Sequence, residues 1–106
     1  MSRAKGDLGE DRAVAFLEEK GYRIVARNYH SRFGEIDIIA FREGVLHFIE
    51  VKSGEGEPIY RITPAKISKI IKTADIYMQK HRTACDYCID AVIVTDTVEL
   101  IENITL

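Results

Sequence analysis

The order of helical and strand patterns predicts a domain of the α/β or α+β kind, with helices packed on one five-stranded sheet: helix, three strands, helix, two strands. Three observations carry this. Apolar residues recur at helical spacing over residues 6–20 and again over 63–81. Three strand-length stretches follow one another between 22 and 52, separated by turn residues. Residues 88–95, CIDAVIVT, form the most uniformly apolar run in the chain. At 106 residues, 46% of them hydrophobic and 30% charged, the chain suits a single globular domain spanning 1–106.

In the first helix, residues 6–20, Ala13, Val14 and Leu17 make one stripe with Phe16 beside it, and Gly21 stands where a helix would stop. Residues 22–29, YRIVARNY, read as the first strand, and 33–41, FGEIDIIAF, as the second, after a loop holding His30, Ser31 and Arg32. The turn REG leads into 45–52, VLHFIEVK, so an antiparallel meander is expected, with residue 41 facing residue 45. Residues 53–61, SGEGEPIYR, have loop composition. Thr63 and Pro64 then supply a cap and a first residue for a second helix, whose stripe is Ile67, Ile70, Ile71, Ala74 and Met78. Lys66, Lys69 and Lys72 lie off that stripe. The strand at 88–95 is expected at the sheet centre, and 98–106 closes the sheet.

Composition narrows the function classes. No apolar run approaches the roughly 18 residues of a membrane span, and the first twenty residues are too polar for a signal peptide, so a cytoplasmic protein with no membrane partner is expected. Two cysteines, Cys85 and Cys88, are too few for a disulfide scaffold. A net charge of -2 requires any nucleic-acid contact to come from a local basic patch.

The unusual feature lies in GEIDIIAFREGVLHFIEVKS, residues 34–53, where charge interrupts apolar strands. Alternation puts Glu35, Asp37 and Ile39 on one face of their strand and Ile36, Ile38 and Ala40 on the other; Leu46, Phe48, Glu50 and Lys52 share a face of the next. Both faces carry large apolar residues, and a buried ionised carboxylate costs several kcal/mol unless a counter-charge compensates. The assumed turn sets Asp37 opposite Ile49 and next to Glu50, close enough for both carboxylates to hold one hard divalent ion. Lys52 lies one pleat beyond. Glu10, three, four and seven residues before Ala13, Val14 and Leu17, faces inward from the first helix. Carboxylates with a lysine are what metal-assisted phosphodiester hydrolysis requires.

Glu50 comes 13 residues after Asp37 and opens EVK, which resembles the D...ExK signature of the PD-(D/E)xK nuclease superfamily. Residues 6–53 are more closely similar to the YraN-like family of small bacterial proteins, through GE in the first helix, then RN, GEIDIIA and FIEVK in order. The resemblance implies a restriction-endonuclease-like core, a mixed five-stranded sheet flanked by helices as in archaeal Holliday junction resolvases. It implies magnesium or manganese held by Asp37, Glu50 and the carbonyl of Val51, with Lys52 catalytic, Glu10 at the metal and Glu35 in a supporting place. Structured or branched DNA would be the partner, bound by a homodimer because junctions have two-fold symmetry. Arg32, Lys66 and Lys69, with Arg27, Arg61 and Lys72, are candidates for phosphate contacts, although Glu55 and Glu57 make the segment after EVK acidic. The alternative is a binding module for nucleic acid or protein that keeps the fold without cleaving. His81, Cys85 and Cys88 give three soft ligands at zinc-like spacing without an evident fourth, and His47 reads as structural.

Overall fold

The structure, a computed structural model of the chain, describes residues 5–54 and 62–105. Its elements follow the expected order: α1 (Lys5–Glu19), β1 (Arg23–Ser31), β2 (Gly34–Arg42), β3 (Val45–Ser53), α2 (Pro64–Lys80), β4 (Asp86–Val94) and β5 (Val98–Ile101). The strands form one mixed sheet in the order β1-β2-β3-β4-β5, antiparallel throughout except that β4 runs parallel to β3. That parallel pair needs a crossover, which α2 supplies. The expected loop at 53–61, with Glu55, Glu57 and Arg61, falls largely on residues outside those described.

The helices cover opposite faces. On the α1 side, Ala13, Leu17 and Tyr22 pack on Ile38, Ala40, Ile49, Val92 and Val94; on the α2 side, Ile70, Ala74 and Tyr77 pack on Ile36, Ile39, Leu46, Phe48 and Ile89. α1 stops as Gly21 supplies, with φ +93°, and the Tyr22 N–H returns to the Leu17 carbonyl at 3.0 Å. Thr63 caps α2 by accepting the Lys66 N–H. The α2 stripe is rotated from the expected one: Thr73 and Tyr77 are buried with Ile70 and Ala74, while Ile67, Ile71 and Met78 lie at its margin. Tyr77 takes that place because its ring meets Tyr29 and Phe48 edge-on.

Three expectations are corrected. The central strand is β3, not β4; β4 is apolar because a helix covers each face, although only the short β5 separates it from the edge. β5 ends at Ile101 rather than running to 106, because Asn103 turns into a left-handed conformation and Ile104 donates back to the Ile89 carbonyl. The β2–β3 register differs by one residue: Arg42 pairs with Val45 and Ile38 with Ile49. The turn is two residues, Glu43 and Gly44, both at positive φ (51° and 81°), the pattern whose twist suits a hairpin. An assumed three-residue turn would have sent Asp37 and Glu50 to opposite faces.

Candidate functional site

In the observed register, Asp37 comes level with Glu50, and both share the α2 face with Lys52. The β2–β3 ladder ends at the pair Ile38 and Ile49. Beyond it the strands part, and the Asp37 carboxylate accepts the Val51 N–H at 2.8 Å in place of a ladder carbonyl. Strict alternation also breaks here: Ile36 packs toward α2, although Ile38 and Ala40 face α1, against the sequence expectation that all three point one way. The break has a partner on β1. Asn28, between the paired residues Arg27 and Tyr29 and so beside Asp37, has φ 54°.

The parting strands and the first turns of α2 enclose a cleft of about 350 Å³ lined by Gly34, Glu35, Asp37, Glu50, Val51, Lys52, Lys66, Lys69 and Ile70. Glu50 is only 6% exposed. Burial, then the hydrogen bond and like charge of Asp37, push its carboxyl up to about 8, with Lys66 and Lys52 opposing. Glu50 therefore holds its proton into the neutral range. Lys52 Nζ lies 3.9 Å from Glu50 Oε1. Burial and the neighbouring Lys66 pull the Lys52 ammonium below its ordinary value, against the pull of Glu50 and Asp37.

Six of the predicted groups therefore share one cleft: Glu35, Asp37, Glu50, Lys52, Lys66 and Lys69, together with the backbone of Val51. Glu10 is buried at 5% but does not line it. Its Oε1 instead accepts from Arg27 Nε at 2.8 Å and from Asn28 Nδ2 at 3.2 Å. Arg27 also reaches Asp11, so its guanidinium is spent inside the protein rather than offered to phosphate. Arg32 is exposed and lies over Phe33, outside the cleft; Lys72 shares that ring.

His81, Cys85 and Cys88 do not gather. His81 stacks on Tyr77 and its Nδ1 meets that residue's carbonyl, Cys85 packs against the α2-side core, and Cys88 sits within reach of His47 and Asp90. Burial and Asp90 push the Cys88 thiol up to about 12, which argues against a redox nucleophile. Sequence reasoning met Asn28 only as part of the RN motif, without a role, and passed over Asp90. The visible signal for Asp90 was a lone carboxylate in CIDAVIVT, two residues from Cys88 and hence on its face.

The fold and cleft define a class: a mixed-sheet α/β protein with two strand carboxylates and a lysine at the point where a central hairpin opens. The chain belongs to the family described as Uncharacterised protein family UPF0102, which matches residues 9–94 and is the YraN family. A UPF0102 protein of Wolinella succinogenes is 54% identical over 108 residues, covering 100% of both chains. Another, of Helicobacter hepaticus, is 54% identical over 99% of this chain and 97% of its own. A third, of Helicobacter pylori strain HPAG1, is 55% identical over 97% and 92%.

Proposed function

We propose that this protein is a metal-dependent endonuclease-like hydrolase that cleaves phosphodiester bonds in structured or branched DNA. One observation carries the reading: buried Glu50 and half-buried Asp37 lie side by side on diverging strands and share a cleft with Lys52. Like charges forced together in a poorly solvated place invite a cation. The donors available, two carboxylates and the Val51 carbonyl, are all oxygen and fit a hard ion such as magnesium or manganese. When bound, such an ion polarises a phosphate and acidifies a water.

The chain's own groups do the rest. Asp37 keeps one oxygen on the Val51 N–H, so its second is held toward Glu50. Lys52, with its ammonium weakened by burial and Lys66, is suited to exchange a proton with a water or a leaving oxygen. Lys66 and Lys69 contribute positive charge from the first turns of α2, where a phosphate would rest. Glu35 sits at the rim, and Arg32, exposed outside the cleft, would meet a more distant phosphate. Glu10 enters as a positioning residue: it holds Asn28, whose left-handed turn accompanies the kink at Asp37.

The likeness to the PD-(D/E)xK superfamily and to archaeal junction resolvases supports this chemistry, and a two-fold junction would be met by a homodimer. The net charge of -2 and the acidic stretch after Lys52 favour a second reading, a binding module that does not cut. Incubating the protein with four-way and linear DNA, with magnesium or manganese, separates them. Metal-dependent cleavage lost in Asp37→Asn and in Lys52→Ala supports the hydrolase. Junction binding without cleavage supports a nucleic-acid-binding module, and neither binding nor cleavage rejects the hydrolase and leaves a protein-binding role.

A further inference from the structure

We propose that His47, Cys88 and Asp90 form a second metal site, on the α1 face of the sheet, that takes a borderline-soft divalent transition ion of the zinc class. This does not depend on the hydrolase reading, because the cleft lies on the other face. β3 and β4 run parallel with His47 beside Cys88 and Ile49 beside Asp90, and alternation turns all three side chains to the same side. Their donor atoms meet at one point. His47 Nδ1 lies 2.6 Å from Asp90 Oδ2 and 3.1 Å from Cys88 Sγ, and Sγ lies 3.4 Å from Asp90 Oδ1.

The donor types select the ion. Thiolate and imidazole favour zinc or cobalt over magnesium and calcium, which take oxygen. In a tetrahedral zinc site, adjacent N, O and S donors stand about 3.3 to 3.6 Å apart. The Sγ to Oδ1 distance already falls there; Nδ1 must move about 0.2 to 0.5 Å farther from Sγ and about 0.7 to 1.0 Å farther from Oδ2, so the His47 ring must shift as the ion enters. Loading releases the thiol proton of Cys88 and leaves the imidazole proton on Nε2. A catalytic triad is ruled out by the same geometry, since thiol and carboxylate meet the same ring nitrogen instead of opposite ones.

Two further observations point to a ligand. Tyr22 is 4% exposed and stands edge-on to the His47 ring at 5.0 Å; among the described residues its buried hydroxyl makes no well-formed hydrogen bond, only a loose interaction with the Arg42 guanidinium over its ring. A buried phenol is rarely left so, and a metal-bound water would serve it. The exposed Glu102 acts electrostatically on both Cys88 and Tyr22. Asp90, fully buried, is steadied from behind by the Asn103 N–H at 2.8 Å, as metal carboxylates commonly are. The ion would thereby tie β3, β4 and the segment after β5 together.

The competing account is a hydrogen-bonded hub around Asp90, which binds no metal. Cobalt(II) titrated into the full chain separates them by the sulfur-to-cobalt charge-transfer absorption that only a thiolate ligand gives. We expect one equivalent to produce the band, Cys88→Ala to abolish it, and Cys85→Ala and Asp37→Asn to leave it intact. No band in the unsubstituted chain, or a band surviving Cys88→Ala, overturns the proposal. Should Cys88→Ala fail to fold, alkylation of the unsubstituted protein read by mass spectrometry replaces it. One equivalent of zinc should slow modification of Cys88 by ~10-fold or more while leaving Cys85 unchanged; equal rates with and without zinc overturn it.

Discussion

Where the β2–β3 ladder ends, the Val51 N–H needs an acceptor inside a poorly solvated wall, and the Asp37 carboxylate supplies one. That arrangement brings the carboxylate beside Glu50, whose carboxyl rises to about 8 from an ordinary 4.5. A carboxyl raised on folding adds stability below its unfolded value and loses it as pH climbs through the folded one. The metal-free protein should therefore weaken between about pH 4.5 and 8, by a few kcal/mol at most. Thermal melts in a chelator check this: Glu50→Gln should flatten the profile, and an unchanged slope would refute the assignment to Glu50. Asp37→Asn keeps an oxygen for Val51 while removing the like charge, so it should melt higher than the parent at pH 8 while losing metal-dependent cleavage. Manganese should raise the parent's melting temperature more at pH 8 than at pH 6, because binding must displace the Glu50 proton at the lower pH. The identities of Asp37, Glu50 and Lys52 were readable from charge in apolar strands, because few other causes put it there. That Glu10 turns to Arg27 and Asn28 was not, since helical spacing gives the inward face without saying which strand residue waits on it.

Among the elements, the β2–β3 hairpin decides whether those carboxylates meet at all. Its turn requires left-handed backbone at Glu43 and Gly44, and only the second residue suits that conformation. Glu43→Asn should stabilise the protein by about 0.5 kcal/mol, raising the melting temperature by roughly 2 to 4 °C, with no change in the cleft. Gly44→Ala should destabilise it by about 1 kcal/mol; a new Cβ there meets no atom of the described residues within 4 Å, so the penalty is conformational. Denaturant melts of the two variants moving in the same direction would contradict this account of the turn. Strand existence and order were legible because apolar runs and turn residues mark them. The register was not, since REG permits two-residue and three-residue loops alike, and the choice flips every side chain on one strand. α1 bears on the site through backbone proximity: a Cβ on Gly9 would come within 3.0 Å of Ser53 Cβ and Oγ, next to Lys52.

For the whole molecule, the two helices give the sheet faces with different electrostatic tasks. A net charge of -2 gives little general attraction for a polyanion, so any DNA affinity has to arise where the lysines of α2 overhang the parting of β2 and β3. Such a focused patch predicts a shallow but measurable dependence on salt. Each phosphate neutralised contributes a slope of about 0.9 in log affinity against log salt. Lys66→Ala with Lys69→Ala should lower that slope by about 1 to 2 and weaken junction binding at low salt, with melting little changed because Lys69 is exposed and Lys66 half-buried. Lys72→Ala, one turn further on and against Phe33, should have a smaller effect because it does not line the cleft. Fluorescence anisotropy on a four-way junction between 50 and 200 mM salt measures all three. A slope unchanged in the double variant would place the phosphates elsewhere and separate the lysine row from the carboxylates it overhangs.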